Sequence, residues 1–168
     1  MTHLLPTTPI TTEAEALKAA RASAISIFIG VVAGIIGAVW TLMHPELVQA
    51  AIANAEAQAP GAGATAAGGA QFGMYFGYAM IVLQLVLGFV QWRSPNKIIA
   101  FLFIALIVLG FLTTAAVPLM AGLVPNMPAT PSWQIVLSLV ILVIQFVLHI
   151  TGVRGIGKLN QLEMDAAR

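Results

Sequence analysis

The chain has 168 residues, of which 60% are hydrophobic and only 8% are charged, and its formal net charge is +1. A soluble domain carries charge on about a quarter of its residues. Seven basic and six acidic side chains therefore exclude a water-soluble globule and indicate a polytopic membrane protein. The small net charge excludes a broadly basic nucleic-acid-binding protein. Because cysteine is absent, disulfides, thiolate nucleophiles and cysteine-ligated metals are excluded as well.

Four uncharged segments are long enough to cross a bilayer. Each contains between 21 and 23 residues, and a helix of that length covers a hydrocarbon core about 30 Å thick. In lipid the backbone must satisfy its own hydrogen bonds, so each segment is predicted to be helical. The sequence predicts an all-α membrane protein, a four-transmembrane-helix bundle with spans 22–43, 72–92, 98–120 and 132–153.

Basic residues occur only in segments that would share one side of the membrane. With four spans, both termini and the connection between the second and third spans lie together. These segments hold all seven basic residues, which are Lys18, Arg21, Arg93, Lys97, Arg154, Lys158 and Arg168. The first loop on the opposite side contains Glu46 and Glu56. The positive-inside rule therefore predicts a multi-pass protein of a bacterial-type inner membrane with both termini in the cytoplasm.

The segments outside the spans are predicted to have no core of their own. Residues 1–11 would form a flexible cytoplasmic tail, and residues 12–168 one transmembrane domain. Thr12 and Glu15 have the spacing of a capping box, so a helix should begin there and continue into the first span. In the outer loop 44–71, Pro45 favours a short interfacial helix, and the Gly/Ala-rich stretch 60–69 indicates a flexible linker. The alternative is that the whole loop is mobile.

The second outer crossing, 121–131, is predicted to be extended and stiff. Proline fixes φ and removes a backbone donor, and it is frequent here. The prolines in or beside this crossing are Pro118, Pro125, Pro128 and Pro131.

The two halves of the chain resemble each other weakly. Spans two and four align at an offset of 61 residues, which pairs Gln84 with Gln145, and spans one and three align at an offset of 73. A duplicated two-helix hairpin, with the linker inserted into the first copy, would explain both offsets and would relate the copies by an axis along the membrane normal. Chance identity between apolar helices explains them equally well, so both interpretations stay open.

Small residues recur at intervals of four along the first span. This small-residue ridge consists of Ala22, Ser26, Gly30, Gly34 and Ala38, with Gly37 beside them. Residues four apart share one helix face, and small side chains allow another helix to approach closely in lipid. The partner could be another span of this chain or a different protein. We predict the ridge as a helix-packing or partner interface.

A second set of residues forms a predicted polar seam on spans two and four. Its members are Gln84, Gln91, Ser138, Gln145 and His149. A carboxamide facing lipid would lose its hydrogen bonds at a cost of several kcal/mol. Gln84 and Gln145 should therefore face protein and bond each other or a neighbouring carbonyl. The functional alternative is a polar route for a solute.

No motif for catalysis or for a cofactor is present. Carboxylates are absent from all four spans, which removes the usual proton relay, and neither a phosphate-binding loop nor a metal-binding pattern occurs. A minor alternative is a soft Cu(I) site at the outer face, formed by Met43, His44, Met74, Met120 and Met127. We therefore predict no cofactor, no metal and no enzyme activity.

The sequence favours a membrane-embedded accessory or assembly subunit, or a homo-oligomer, that acts through helix packing. Its partners would be the lipid bilayer and other membrane subunits or copies of itself, and not nucleic acid. The alternative is a small channel or transporter for an uncharged solute.

Overall fold

A computed structural model describes residues 7, 9–123 and 130–167, and all regular structure in these ranges is helical. The helices are α1 (Glu13–Met43), α2 (Pro45–Gln58), α3 (Ala62–Arg93), α4 (Lys97–Leu123) and α5 (Ser132–Ala166). Four of them, all except α2, are long and apolar enough to cross a membrane. The predicted all-α class and the four membrane-capable helices are confirmed.

Helix α1 begins where the capping box predicts. The Thr12 hydroxyl accepts a hydrogen bond from the Glu15 amide, and the Glu15 carboxylate accepts one from the Thr12 amide. The helix then continues without a break through 31 residues, about 46 Å at 1.5 Å per residue. Its first turns therefore extend beyond the hydrocarbon core that its apolar part can span.

The predicted Gly/Ala linker is wrong, because α3 begins at Ala62 and includes most of the stretch 60–69. Gly61 has a φ of 85° and turns the chain between α2 and α3. The Glu56 carboxylate accepts hydrogen bonds from the Gly61 and Gly63 amides at 2.9–3.1 Å. These bonds satisfy donors that a helix start leaves open, and α2 also packs along α3. The loop 44–71 is therefore mostly helical.

We expect Glu56→Gln to loosen this turn at neutral pH. The amides of Gly61 and Gly63 hold the pKa of the Glu56 carboxyl below its ordinary value of 4.5. The stabilisation by the ionised carboxylate is thus present above pH 4.5 and is lost as the pH falls through the lowered value. Hydrogen exchange of segment 59–66, corrected for intrinsic rates, measures this, with Glu46→Gln as control. Equal protection of wild type and Glu56→Gln at pH 7 would contradict the assignment.

The prediction of an extended crossing over residues 121–131 is also wrong for its first three residues, which are helical. Helix α4 contains Pro118 and continues to Leu123. Proline inside a membrane helix removes one donor, and nearby hydroxyl groups commonly compensate for the loss. The carbonyl that loses its donor is that of Thr114, four residues before Pro118, and the Thr113 hydroxyl donates to a different carbonyl, that of Gly110. The predicted extended stretch around Pro125 and Pro128 lies outside the described residues.

The packing order of the long helices is α3–α1–α5–α4. Helix α1 makes its most extensive contacts with α5 and the next most with α3, and α4 packs on α5. Among the described residues, α3 and α4 make few contacts with each other, although residues 94–96 join them. The core lies at this joined end, where Ala16, Ala19, Ala20, Ala22 and Ala24 are fully buried. We refer to it as the closed end, and to the opposite end as the open end.

Candidate functional site

Glycines of α5 bring its backbone against α1 at the closed end. A Cβ atom at Gly152 would lie 2.5 Å from the Ser23 Cβ, and one at Gly155 would overlap the Ala20 amide nitrogen. Only glycine fits at either position without moving a helix. Ala22 and Ser26, the first two residues of the small-residue ridge, are fully buried in this region.

Polar side chains join α1 to α5 along the same contact. The Ser26 hydroxyl donates a hydrogen bond to the backbone carbonyl of Gln145 at 3.0 Å. The side-chain amide of Gln145 donates one to the backbone carbonyl of Ser26 at 3.1 Å. The Ser23 hydroxyl lies 2.8 Å from Nδ1 of His149. Such interhelical bonds contribute about 0.6–2 kcal/mol each in membranes. The predicted bond from Gln145 to a neighbouring carbonyl is present.

His149 connects three helices. Its ring is 1% exposed and stacks on Phe103 of α4, with 5.7 Å between centroids and an interplanar angle of 10°. Its Nδ1 faces Ser23 of α1, while Nε2 has no hydrogen-bond partner among the described residues. A ring held on both sides in this way positions α1, α4 and α5 relative to one another. Because the ring is buried, neither solvent nor lipid contacts it.

The middle of the ridge contacts α3 rather than α5 alone. A Cβ atom at Gly30 would lie 2.8 Å from the Gln145 amide nitrogen and 3.2 Å from the Gln84 carboxamide oxygen. At Gly34 it would meet Ile81 at 3.0 Å. The structure therefore brings the side chains of Gln84 and Gln145 together beside Gly30.

The outer part of the ridge remains open. A Cβ atom at Gly37 would have no atom within 4 Å. Both Gly37 and Ala38 line a cavity of about 460 Å³ between α1, α2 and α3. The ridge is thus divided into an inner part packed on α5, a middle part packed mainly on α3 and an outer part at Gly37 that no described side chain contacts.

The polar seam is divided as well. Gln84 of α3 and Gln145 and Ser138 of α5 line a second cavity of about 340 Å³, which α1 and α4 also border. Gln91 is fully buried at the closed end, where its side-chain oxygen accepts a hydrogen bond from the Asn96 amide at 3.0 Å. His149 lies in the α1–α5 contact described above. The two cavities share Gly30 and Gln84 in their walls.

Several contacting residues were missed from the sequence. Ser23 lies one position beside the ridge, and Gly155 follows Gly152 at an interval of three, a small-residue spacing that could have indicated a close helix contact. The Arg21 guanidinium lies 5.0 Å from the centre of the Trp92 ring and so links α1 to α3 at the closed end. Phe103 carries no sequence signal, since any apolar side chain could occupy its position.

No family model, no curated protein and no solved structure matches the chain. In the part of the chain that the structure describes, no three His, Cys, Asp or Glu side chains lie together as metal ligands would. His44, one of the residues of the minor Cu(I) site considered above, stacks on Trp40 and has its Nδ1 2.9 Å from the Trp40 carbonyl. The side chains of Met120 and Met127 lie outside the part of the chain that the structure describes.

Proposed function

We propose that the chain is a non-enzymatic integral membrane protein that acts through helix–helix contacts. It would be an accessory or assembly subunit of a larger membrane complex, or a homo-oligomer. One observation carries the proposal: the polar side chains Ser23, Ser26, Gln145 and His149 join α1 to α5. In a pump or an enzyme such groups would face a substrate or a proton path. Here they stabilise a scaffold.

The edge helices supply the surface for a partner. Helices α3 and α4 lie at the two ends of the packing order and share little contact. Val86 of α3 and Leu109 of α4 are more than half exposed, at 53% and 56%. Lipid covers such faces in a monomer, and a partner helix covers them in a complex.

Photocrosslinking in the native membrane tests the proposal. A photoreactive amino acid at position 86 or 109 should give an adduct with a second polypeptide chain, which is heavier than an adduct of this chain with one lipid. The control position is Val31, which is 5% exposed and should give only intramolecular products. If neither exposed position yields a heavier adduct, the proposal is contradicted.

The proposed orientation places the closed end in the cytoplasm of a bacterial-type inner membrane, with both termini on that side. Contacts between Ser23 and Gly152 and between Arg21 and Trp92 support it, because they gather the basic segments of α1, α3 and α5 at one end. Since the chain has no cysteine, a single introduced cysteine is the only thiol that can react, and its labelling shows on which side of the membrane it lies. We expect Asn160→Cys to react with a membrane-impermeant thiol reagent only from the cytoplasmic side, and Gln49→Cys only from outside. The reverse pattern would overturn the orientation.

A duplicated hairpin forms part of the same proposal. Gln84 and Gln145, which the offset of 61 pairs, both lie against Gly30 near the middle of the bundle. An axis along the membrane normal would exchange α1 with α4 and α3 with α5, so it would make the α3–α4 contact equivalent to the α1–α5 contact. Because α3 and α4 share few contacts among the described residues while α1 and α5 share the most, the duplication is proposed for the sequences of the hairpins and not for their packing.

The alternative function is a route for an uncharged solute. The observation in its favour is that the two cavities share Gly30 and Gln84. If a solute passes there, Gln84→Leu should abolish glycerol flux into proteoliposomes, while Gln71→Leu, on the exposed part of α3, should not. We expect the wild-type protein to leave glycerol flux at the level of protein-free liposomes, because fully buried alanines fill the closed end.

A further inference from the structure

Cations and carboxylates lie at different depths along α5 at the closed end. Arg154 and Lys158 directly follow the uncharged segment of this helix, whereas Glu163 and Asp165 lie near its end. The rise from Arg154 to Glu163 is about 14 Å at 1.5 Å per residue. The helix therefore presents positive charge at the boundary of its apolar segment and negative charge only farther out.

Helix α4 adds a third cation at the same depth. Lys97 is the first residue of α4, and its ammonium nitrogen lies 3.5 Å from the position that a Cβ atom at Gly157 of α5 would occupy. Because a helix turns by about 100° per residue, Arg154, Gly157 and Lys158 lie within one arc of about 100° on α5. Lys97, Arg154 and Lys158 are thus neighbours around Gly157, and we call them the α4–α5 basic cluster.

The protein itself does not neutralise this cluster. Among the described residues, Lys97 and Arg154 have no hydrogen-bond or ion-pair partner, and Lys158 donates only to the uncharged side-chain oxygen of Gln161 at 3.2 Å. Lys97 and Arg154 are exposed, and Lys158 is half-buried. The charged donors are therefore available to an anion from outside the chain.

An exposed apolar surface of α4 begins next to the cluster. Phe101 lies one turn after Lys97 on the same helix face and is 55% exposed, and Val108, two turns farther along that face, is 45% exposed. An inorganic anion gains nothing from this surface. The acyl chains of a phospholipid would cover it while the phosphate group contacts the cations. The combination favours an anionic amphiphile over a free anion.

We propose that the α4–α5 basic cluster binds the phosphate group of an anionic phospholipid whose acyl chains lie along α4 from Phe101 towards Val108. The guanidinium of Arg154 offers paired donors that match phosphate oxygens, and Lys97 and Lys158 add positive charge. The inference goes beyond the proposed function, since it requires no protein partner. It rests on the proposed orientation only for the leaflet, which would be the cytoplasmic one.

The test measures lipid binding to the full-length protein in detergent by native mass spectrometry, with added phosphatidylglycerol or phosphatidylcholine. The wild-type protein should bind the anionic lipid at least about tenfold more tightly than the zwitterionic one, because each neighbouring cation favours an anionic lipid by roughly fivefold. An excess of inorganic phosphate should leave the bound lipid in place. Equal affinity for the two lipids, or displacement of the lipid by inorganic phosphate, would overturn the proposal.

Two matched variants locate the site. Lys97→Gln should weaken phosphatidylglycerol binding by roughly fivefold. Lys18→Gln makes the same change at an exposed position of α1 at the closed end and should weaken it by less than about twofold, because Lys18 lies outside the cluster. Arg154→Gln repeats the test if Lys97→Gln fails to fold. Losses no larger than that of Lys18→Gln would show attraction by net charge alone and would contradict the site. Since binding is measured in detergent, its outcome is separate from the orientation, which the labelling of Asn160→Cys tests.

Discussion

Gly155→Leu is expected to lower the free energy of unfolding by about 3 kcal/mol, at the upper end of the range for overpacked cores. The reason is contact with backbone, since a Cβ at this position would overlap the Ala20 amide nitrogen. Neither helix can yield by rotating a side chain, so α1 and α5 must separate. Unfolding in mixed micelles, followed by tryptophan fluorescence, measures the change.

Gly37→Leu is the matched control for this prediction. It makes the same chemical change in the middle of a long helix, but a Cβ at Gly37 meets no atom within 4 Å. We expect its free energy of unfolding to stay within about 0.5 kcal/mol of the wild-type value, as for substitutions away from packed contacts. Similar destabilisation by the two leucines would contradict the α1–α5 contact.

His149→Ala is expected to destabilise the protein by about 3 kcal/mol, because it leaves a cavity the size of an aromatic ring and removes a buried interhelical hydrogen bond. The ring is 1% exposed, stacks on Phe103 and lies 2.8 Å from the Ser23 hydroxyl. Ser23→Ala alone should cost only about 1 kcal/mol. Chemical unfolding of the two single variants and the double variant gives the coupling between the side chains.

The double variant should lose less free energy of unfolding than the sum of the two single variants, because either substitution already removes the contact between the hydroxyl and the ring. His44→Ala is the control, since His44 follows the last residue of α1 at the opposite end and stacks on Trp40, four residues earlier in the chain. If the losses of unfolding free energy in the Ser23 and His149 variants are additive, the ring does not join the helices. The same conclusion follows if His44→Ala is as destabilising as His149→Ala.

The long helices were predictable because their physical cause is local. An uncharged run of more than 20 residues has few alternatives to a membrane helix, and a capping box needs only Thr12 and Glu15 at the right interval. Gln145 could likewise be placed against protein, since burying an unpaired carboxamide in lipid is costly. These predictions needed no knowledge of which helices are neighbours.

The errors fall where structure depends on contacts between segments. The stretch after Pro60 has the composition of a linker, yet α3 begins at Ala62 because Glu56 binds the first amides and α2 packs beside them. The small-residue ridge has one spacing throughout, and only the tertiary structure divides it between α5, α3 and the cavity. The periodicity of a sequence assigns a residue to one face of a helix, but it does not determine which other helix packs against that face.

The mass of the protein extracted from its native membrane in a mild detergent tests the central claim most directly. The account predicts a discrete assembly heavier than one 17.6 kDa chain with its bound detergent, containing another subunit or further copies of this chain. A single chain that migrates alone, without any companion polypeptide, would contradict it.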